Sequence, residues 1–430
     1  MTVQKNSKDI YKSSRVLYII EAALEYFVSI LVSGTFLAKL TTNLGFSDSL
    51  TAILTSFVAL GCSFQLFAVF FFRGGSVKRR VTFFHVLNQL LFMSVYFVPF
   101  LNLPRPVKTV LFMELLMAGY FFLNIVFAPK TNWFMSLVDD HKRGNFTAVK
   151  EAVSLVGGFI FNLLMGTVID YFEAKNQVRA AFVVAAFAVF VLTVTHTLTL
   201  IFSKEKQQPI IPKTISIGQR FKNVFSDKTV MKVIFVSVFW TISTHITTAF
   251  FGTYQIKELG FKMTFVAALS VVYAVVRIFS SFLLARIADK KSFAVMLKYA
   301  YVLAAVGFLV AIFIVPSNGK VFYTAYYCLF AAAMGGINSA EINLVFDYVS
   351  PEKRSDALMV KQTVYSLAGF LATLAATPLV NYIQGAGNRF LGMNVYAQQV
   401  LSAISFIMVV LVIVYLETVV LKIKPVRESE

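Results

Sequence analysis

Charged residues are scarce in this chain. Of its 430 residues only 14% are charged, 58% are hydrophobic, and the mean hydropathy is +0.75. Soluble domains carry about 25% charged residues, so the composition excludes a soluble globular protein. Disorder is also excluded, because disordered chains are poor in apolar and aromatic residues, whereas this chain has 46 phenylalanines. The composition predicts an integral membrane protein.

Residues that build disulfides, metal sites and nucleotide sites are few. Cys62 and Cys328 lie in apolar stretches and share no motif spacing, so neither a disulfide nor a cysteine metal site is expected. The four histidines show no metal-ligand spacing, and no Gly-x-x-x-x-Gly-Lys-Ser/Thr loop occurs. We therefore expect no metal, no cofactor, no enzymatic activity and no direct use of ATP. The polar, basic first 15 residues also predict no cleaved signal peptide.

Long apolar stretches dominate the sequence instead. A helix needs about 20 predominantly apolar residues to cross a membrane, and these stretches lack the alternation of membrane barrel strands. The prediction is an all-α membrane protein with twelve transmembrane helices. The segments are 16–42, 49–72, 81–101, 107–137, 146–171, 179–202, 230–256, 263–287, 293–315, 320–348, 356–383 and 395–420.

The basic residues are divided unevenly between the two sides of the predicted membrane. The formal net charge is +18, and 27 of the 39 Lys and Arg residues fall on one side while nine fall on the other. Because Lys and Arg collect in cytoplasmic loops, both termini are predicted to be cytoplasmic, with the protein in the plasma (inner) membrane. Since no soluble domain with a basic face is available, we expect no nucleic-acid partner.

The longest polar interval, 203–228, predicts a cytoplasmic linker between domains 1–202 and 229–430. Apolar residues on one face of Ile217–Phe225 fit a short helix at the membrane interface, and a solvated linker fits equally well. A shift of 211 residues aligns the two halves. It places Asn132, Lys142-Arg143, Lys150 and Gly158-Phe159 on Asn343, Lys353-Arg354, Lys361 and Gly369-Phe370, and Arg79-Arg80 on Lys290-Lys291.

The loop after the eighth segment resembles a family signature. Asp289, Lys290 and Lys291 in Ala285–Ser292 match the acidic and basic positions of the loop Gly-x-x-x-Asp-Arg-x-Gly-Arg-Arg, which is characteristic of the major facilitator superfamily. The first-half copy has Lys78 at the acidic position. The loops that contain Arg143 and Arg354 are similar to those that begin helices five and eleven of the superfamily.

This resemblance implies two six-helix bundles related by a pseudo-twofold axis, with a solute site between them near the middle of the membrane. It also implies secondary transport by alternating access. The residues expected to control the conformational change are Arg143, Asp289, Lys290 and Arg354, with Lys130 and Glu341 as a possible pair.

Seven ionisable side chains inside the predicted helices are candidates for function, because a charge at the bilayer centre costs about 2.5–3.5 kcal/mol and usually faces a cavity or the bundle interior. Six of the seven lie on segments one, four, seven and ten, which line the central cavity in the superfamily. They are Glu21, Glu25, Glu114, Lys130, His245, Arg277 and Glu341. The implied substrate cavity contains Glu25, Glu114, Trp240, His245, Arg277 and Glu341.

Glu21 and Glu25 are four residues apart and share a helix face. Two carboxylates about 6 Å apart in a poorly solvated site resist joint ionisation, so one should keep a proton near neutral pH. A proton that leaves and returns as access alternates would couple transport to a proton gradient. Alternatively, Glu21 reaches the membrane surface and Glu25 is paired structurally. Arg277 is a candidate counter-charge for Glu25 or for an anionic solute.

The 211-residue shift places Lys130 on Glu341, so opposite charges occupy equivalent positions. An ion pair between them that forms only in the outward-open state would act as a gate. Alternatively, each charge pairs locally within its own half, or Lys130 snorkels to the membrane surface.

The sequence predicts a secondary active transporter of a small organic solute, coupled to protons and acting as a monomer in the lipid bilayer. Two other functions stay open. One is a facilitator driven by the solute gradient alone, in which the buried charges are structural. The other is a membrane sensor or enzyme built on the same fold.

Overall fold

A computed structural model of the chain describes residues 9–72, 76–139, 143–206 and 216–425. In these ranges the only strands form a two-residue antiparallel hairpin, Arg389–Phe390 (β1) with Met393–Asn394 (β2). The helices are α1 Lys12–Leu31, α2 Gly34–Asn43, α3 Asp48–Ser63, α4 Ala68–Phe71, α5 Val77–Val95, α6 Arg105–Met135, α7 Arg143–Ala174, α8 Val178–Phe202, α9 Ile217–Ser226, α10 Lys228–Thr248, α11 Phe251–Thr253, α12 Met263–Lys290, α13 Phe293–Ala311, α14 Gly319–Tyr348, α15 Pro351–Gly385 and α16 Ala397–Tyr415.

Within the described ranges, eleven helical stretches are long and apolar enough to cross a membrane. They account for every predicted segment except 81–101, which corresponds to α5. The first turn of α5 carries Lys78, Arg79 and Arg80, and its middle is polar, so composition alone does not mark it as a span. With α5 included, the helices match all twelve predicted segments, and the prediction of an all-α, twelve-helix chain is confirmed.

The first predicted segment is two helices rather than one. α1 ends at Leu31, and α2 begins at Gly34 with a φ of 53°, a left-handed conformation that glycine adopts without steric cost. Two tyrosine hydroxyls donate to carbonyl oxygens at the end of α1, Tyr96 to Leu31 at 2.6 Å and Tyr120 to Val32 at 2.9 Å. These hydrogen bonds satisfy carbonyls that an uninterrupted helix would pair internally.

The chain forms two units. Unit one comprises Met1–Val32 and Phe64–Ile211, and unit two comprises Ser33–Ser63 and Pro212–Glu430. The later change of unit falls inside the predicted linker 203–228. The earlier one coincides with the break between α1 and α2, so α2 and α3 belong to the second unit.

Unit one has an interior formed by five helices. α1 packs against α7 and α8, and α5 packs against α6 and α8. Near one end of this interior, the ring of Phe134 stacks on Tyr18 with a centroid distance of 4.2 Å and on Trp133 at 4.3 Å. The Trp133 indole donates to the carbonyl of Lys204 at 2.9 Å. The packing also brings side chains of α1, α5, α6 and α8 into contact with one another.

Unit two is built around α10, α13 and α14. α13 packs against α14 and α16, α12 packs against α14, and α10 packs against α15 and α16. α3 lies along α15, where Ser49 donates to the Asn381 side chain at 2.5 Å and Gln384 donates to Asp48 at 2.7 Å. Asp48 also pairs with Lys257. These polar contacts hold α3 within the second unit.

The apolar pattern over Ile217–Phe225 corresponds to α9, which is followed directly by α10. Asp227 caps α10 by accepting hydrogen bonds from the backbone N–H groups of Thr229 and Val230 at 3.1 and 3.2 Å, and it accepts one from Lys353 at 2.6 Å. The hydrogen bond from Lys353 holds the pKa of Asp227 below its ordinary value of 3.8.

Candidate functional site

A cluster of ionisable side chains occupies the interior of unit one. Glu21 and Glu25 lie on α1, and Lys130 reaches both from α6. The Lys130 ammonium donates to Glu21 Oε1 at 2.7 Å and also to Glu25 Oε2. The side chains of Glu21 and Lys130 are 0% and 3% exposed, whereas that of Glu25 is 20% exposed. The cluster therefore has a fully buried carboxylate, a partly exposed one, and a single ammonium shared by both.

Two histidines extend this cluster. His196 on α8 places its Nε2 atom 2.7 Å from Glu21 Oε1, so this oxygen contacts both His196 and Lys130. His85 on α5 packs its ring against that of His196, with centroids 3.7 Å apart. Both histidines are buried. The contacts thus run from Glu25 to Lys130, from Lys130 to Glu21, from Glu21 to His196, and from His196 to His85.

The donor atoms of Glu21, Glu25 and His196 lie within 4.8 Å of one another. Carboxylate oxygens and imidazole nitrogens are common metal ligands. The Lys130 ammonium already lies within hydrogen-bond distance of both carboxylates, and a divalent ion among these atoms would face its positive charge. Lys130 therefore serves as the cation of the cluster.

Glu341 has its own partner in unit two. It lies on α14 and forms an ion pair with Lys361 of α15, with 3.4 Å between Nζ and Oε2. Lys361 also donates to the Glu341 carbonyl at 2.7 Å. Lys130 and Glu341 thus each have a partner within their own unit, which is the local pairing that the sequence left as an alternative to a gate.

The other predicted cavity residues have varied environments. Trp240 is buried in the core of unit two and stacks on Tyr301 at 4.8 Å. Glu114 on α6 is exposed. His245 on α10 is partly buried and lies beside Gly369 of α15. Arg277 on α12 is partly buried and makes no ion pair with another described residue; the counter-charge of Glu25 is Lys130.

The predicted conformational residues lie at helix ends. Asp289 and Lys290 are exposed in the last turn of α12. Arg354 donates from Nη2 to the carbonyl of Phe346 at 2.8 Å and from Nε to that of Val349 at 3.0 Å, which satisfies carbonyls at the C-terminal end of α14. Arg143 begins α7, and its side chain lies outside the described residues.

Sequence reasoning overlooks His85 and His196. Both fall inside predicted segments, 81–101 and 179–202, and a buried ionisable residue in a membrane helix is by itself a functional signal. In the superfamily, helices one, four, seven and ten line the cavity. The resemblance therefore favours His245, which lies on the seventh segment, over His85 and His196.

The comparisons with known proteins agree with this architecture. The model of the Major Facilitator Superfamily matches residues 19–373, whereas curated proteins give no match. Similar solved structures include a nucleoside transporter NupG variant, with 12% identity and a TM-score of 0.71 over 94% of this chain and 99% of that one. A D-xylose–proton symporter has 13% identity and a TM-score of 0.69 over 94% and 97%. An auto-inhibited POT family peptide transporter has 11% identity and a TM-score of 0.73 over 94% and 97%. This chain, a multi-pass membrane protein with a transporter fold, belongs to the Major Facilitator Superfamily.

Proposed function

We propose that the chain is a secondary active transporter of a small organic solute, coupled to protons through Glu21, Glu25 and Lys130. The observation that carries the proposal is the pair of carboxylates, buried or nearly so, that share a single ammonium. The similar structures of a nucleoside transporter, a D-xylose–proton symporter and a peptide transporter make polar organic solutes the first class to test.

The charge of the three groups favours binding of one proton. When all three are ionised they carry one net negative charge, and an uncompensated charge away from water is costly. One added proton neutralises the group. Glu25 is the proposed acceptor, because its side chain is one-fifth exposed while that of Glu21 is fully buried.

Protonation of Glu25 would also change what holds α1 to α6. Ionised Glu25 and Glu21 both accept charge-assisted hydrogen bonds from Lys130, which are about twice as strong as neutral ones. A neutral Glu25 leaves Lys130 paired with Glu21 alone. Since a ligand shifts a conformational equilibrium only through its different affinities for the two states, this loss gives the proton a way to favour one packing of α1 and α6.

The remaining parts of the proposal follow from the sequence. Two domains, 1–202 and 229–430, are joined by a cytoplasmic linker, and the protein acts as a monomer in the plasma membrane with both termini in the cytoplasm. The excess of Lys and Arg in one set of loops supports this orientation. Glu341, His245 and Arg277 are the proposed solute-binding residues.

The test is uptake by proteoliposomes that contain the purified chain. A pentose, a nucleoside, a dipeptide, an organic anion and an organic cation are supplied in turn, with a pH gradient of either polarity or with the gradient collapsed by a protonophore. We expect one solute class to accumulate above its external concentration only while the gradient is present. Uptake that only equilibrates the solute under every condition would instead identify a facilitator and reject proton coupling.

A further inference from the structure

His196 contacts the proposed coupling site but is not one of its three groups. Its Nε2 atom lies 2.7 Å from Glu21 Oε1, the oxygen that also accepts from Lys130. The His196 side chain is 2% exposed, and that of Glu21 is fully buried. At this distance Nε2 and Oε1 can share one hydrogen, so the contact gives a proton a direct path between the two side chains.

The hydrogen bonding around the two histidines is incomplete. Nδ1 of His196 and both ring nitrogens of His85 are buried and have no hydrogen-bond partner among the described residues. Buried polar atoms are nearly always paired in folded proteins, so a histidine kept only for packing would be expected to have a partner. The two rings also contact each other. Among the described residues, Nε2 is therefore the one nitrogen of His196 with a hydrogen-bond partner, and that partner is Glu21.

We propose that His196 is a second proton-binding site of the transporter, connected to Glu25 through Lys130 and Glu21. The inference rests on the proposed proton coupling and extends it to α8. Glu25 is then the station that exchanges its proton with water, and His196 is the station that holds the proton away from water.

The transfer between the stations needs no other reactant. Lys130 gives one proton to Glu21 and takes the proton of Glu25, so the ammonium is restored and Glu25 becomes a carboxylate. The O–H bond on Glu21 then breaks while an N–H bond forms at His196 Nε2. Glu21 is left as a carboxylate beside an imidazolium whose Nδ1 keeps its own hydrogen. The reverse steps return the proton to Glu25.

The charges around His196 limit the site to one such proton. With Lys130 protonated and both carboxylates ionised, an imidazolium at His196 brings the cluster to zero net charge. A proton on Glu25 does the same with a neutral His196, so occupation of one station weakens binding at the other. The titratable and charged groups in or next to this cluster are Tyr18, Glu21 and Glu25 on α1, His85 on α5, Lys130 on α6, and Lys150 on α7, which lies over the Tyr18 ring.

The experiment is a ¹⁵N NMR titration of the full chain, labelled at histidine, in nanodiscs of phosphatidylethanolamine and phosphatidylglycerol. The His196 signal is identified by its loss in His196→Gln, or in His196→Asn if the first variant does not fold. We expect the wild-type signal to change between neutral imidazole and imidazolium with pH. In Glu25→Gln the charges of Glu21 and Lys130 cancel, so a proton on His196 would give the cluster a net positive charge. The proton affinity of His196 should therefore fall at least about tenfold.

The matched control is Glu151→Gln, which removes an exposed carboxylate from α7 and should leave the titration of His196 unchanged. A His196 that stays neutral at every pH, or that titrates identically in Glu25→Gln and the wild type, would overturn the proposal.

A transport assay distinguishes failure of the His196 proposal from failure of the proposed function. If Glu25→Gln loses pH-driven accumulation while His196→Gln keeps it, the proposed function stands and His196 is rejected; if the wild type shows no pH-driven accumulation, the proposed function fails.

Discussion

Lys130→Met should strongly destabilise the protein, because it leaves two carboxylates without their cation. The Lys130 side chain is 3% exposed and that of Glu21 is fully buried, and removal of one partner from a buried ion pair costs about 3–5 kcal/mol. Methionine is unbranched and of similar length, so little of this loss would come from packing. Glu21→Gln leaves Lys130 paired with Glu25, and we expect it to cost about 1.5–3 kcal/mol, the contribution of one hydrogen bond to a charged group.

A double-mutant cycle isolates the pair. In Glu21→Gln/Lys130→Met the fully buried carboxylate is absent as well, so the double variant should cost at least about 1 kcal/mol less than the sum of the two single variants. The free energy of unfolding is measured by reversible SDS denaturation in mixed micelles, followed by circular dichroism. The buried ion pair would be refuted if the losses in free energy of unfolding were strictly additive, or if Lys130→Met lowered that free energy by less than about 1 kcal/mol.

Three further perturbations test other features of the fold with the same assay. Tyr120→Phe removes the hydrogen bond to the Val32 carbonyl and should cost about 1 kcal/mol; an unchanged stability would mean that the carbonyl has another donor. Gly34→Ala places a Cβ in open space at a φ of 53° and should cost about 1–2 kcal/mol from backbone strain alone, with Gly34→Asn milder because asparagine tolerates this conformation. The lowered pKa of Asp227 means that its contribution to stability is complete above pH 3.8 and is lost as the pH falls through the lowered value. In Asp227→Asn the free energy of unfolding should therefore fall less steeply at acidic pH. The difference should be small, because the partner Lys353 is 57% exposed; a pH profile identical to that of the wild type would contradict the assignment.

The helices, and the position of each charge along its helix, could be predicted from the sequence. Apolar length sets where a helix crosses the membrane, and the twelve predicted segments all contain described helix. The four-residue spacing of Glu21 and Glu25 places both on one face of α1, and Lys130 contacts both. The break at Gly34 was beyond this reasoning, because a single glycine in an apolar run does not reveal that its φ is positive.

The partners of the buried charges could not be predicted in the same way. A sequence gives the position of a residue along its helix, but it does not say which neighbouring helix the side chain faces. Repeat symmetry alone pairs Lys130 with Glu341, whereas the structure pairs Lys130 with Glu21 and Glu25, and Glu341 with Lys361. The contact between α8 and α1 that brings His196 to Glu21 is likewise a property of the packed unit.

The most direct test of proton coupling compares net accumulation with exchange in Glu25→Gln. The solute identified by the uptake panel is followed in proteoliposomes under a pH gradient, and in counterflow with equal pH on both sides. We predict that Glu25→Gln abolishes accumulation driven by the gradient and retains part of the counterflow, because exchange needs no net proton movement, while Glu151→Gln behaves as the wild type in both assays. Wild-type accumulation by Glu25→Gln under the gradient would remove Glu25 from the coupling mechanism.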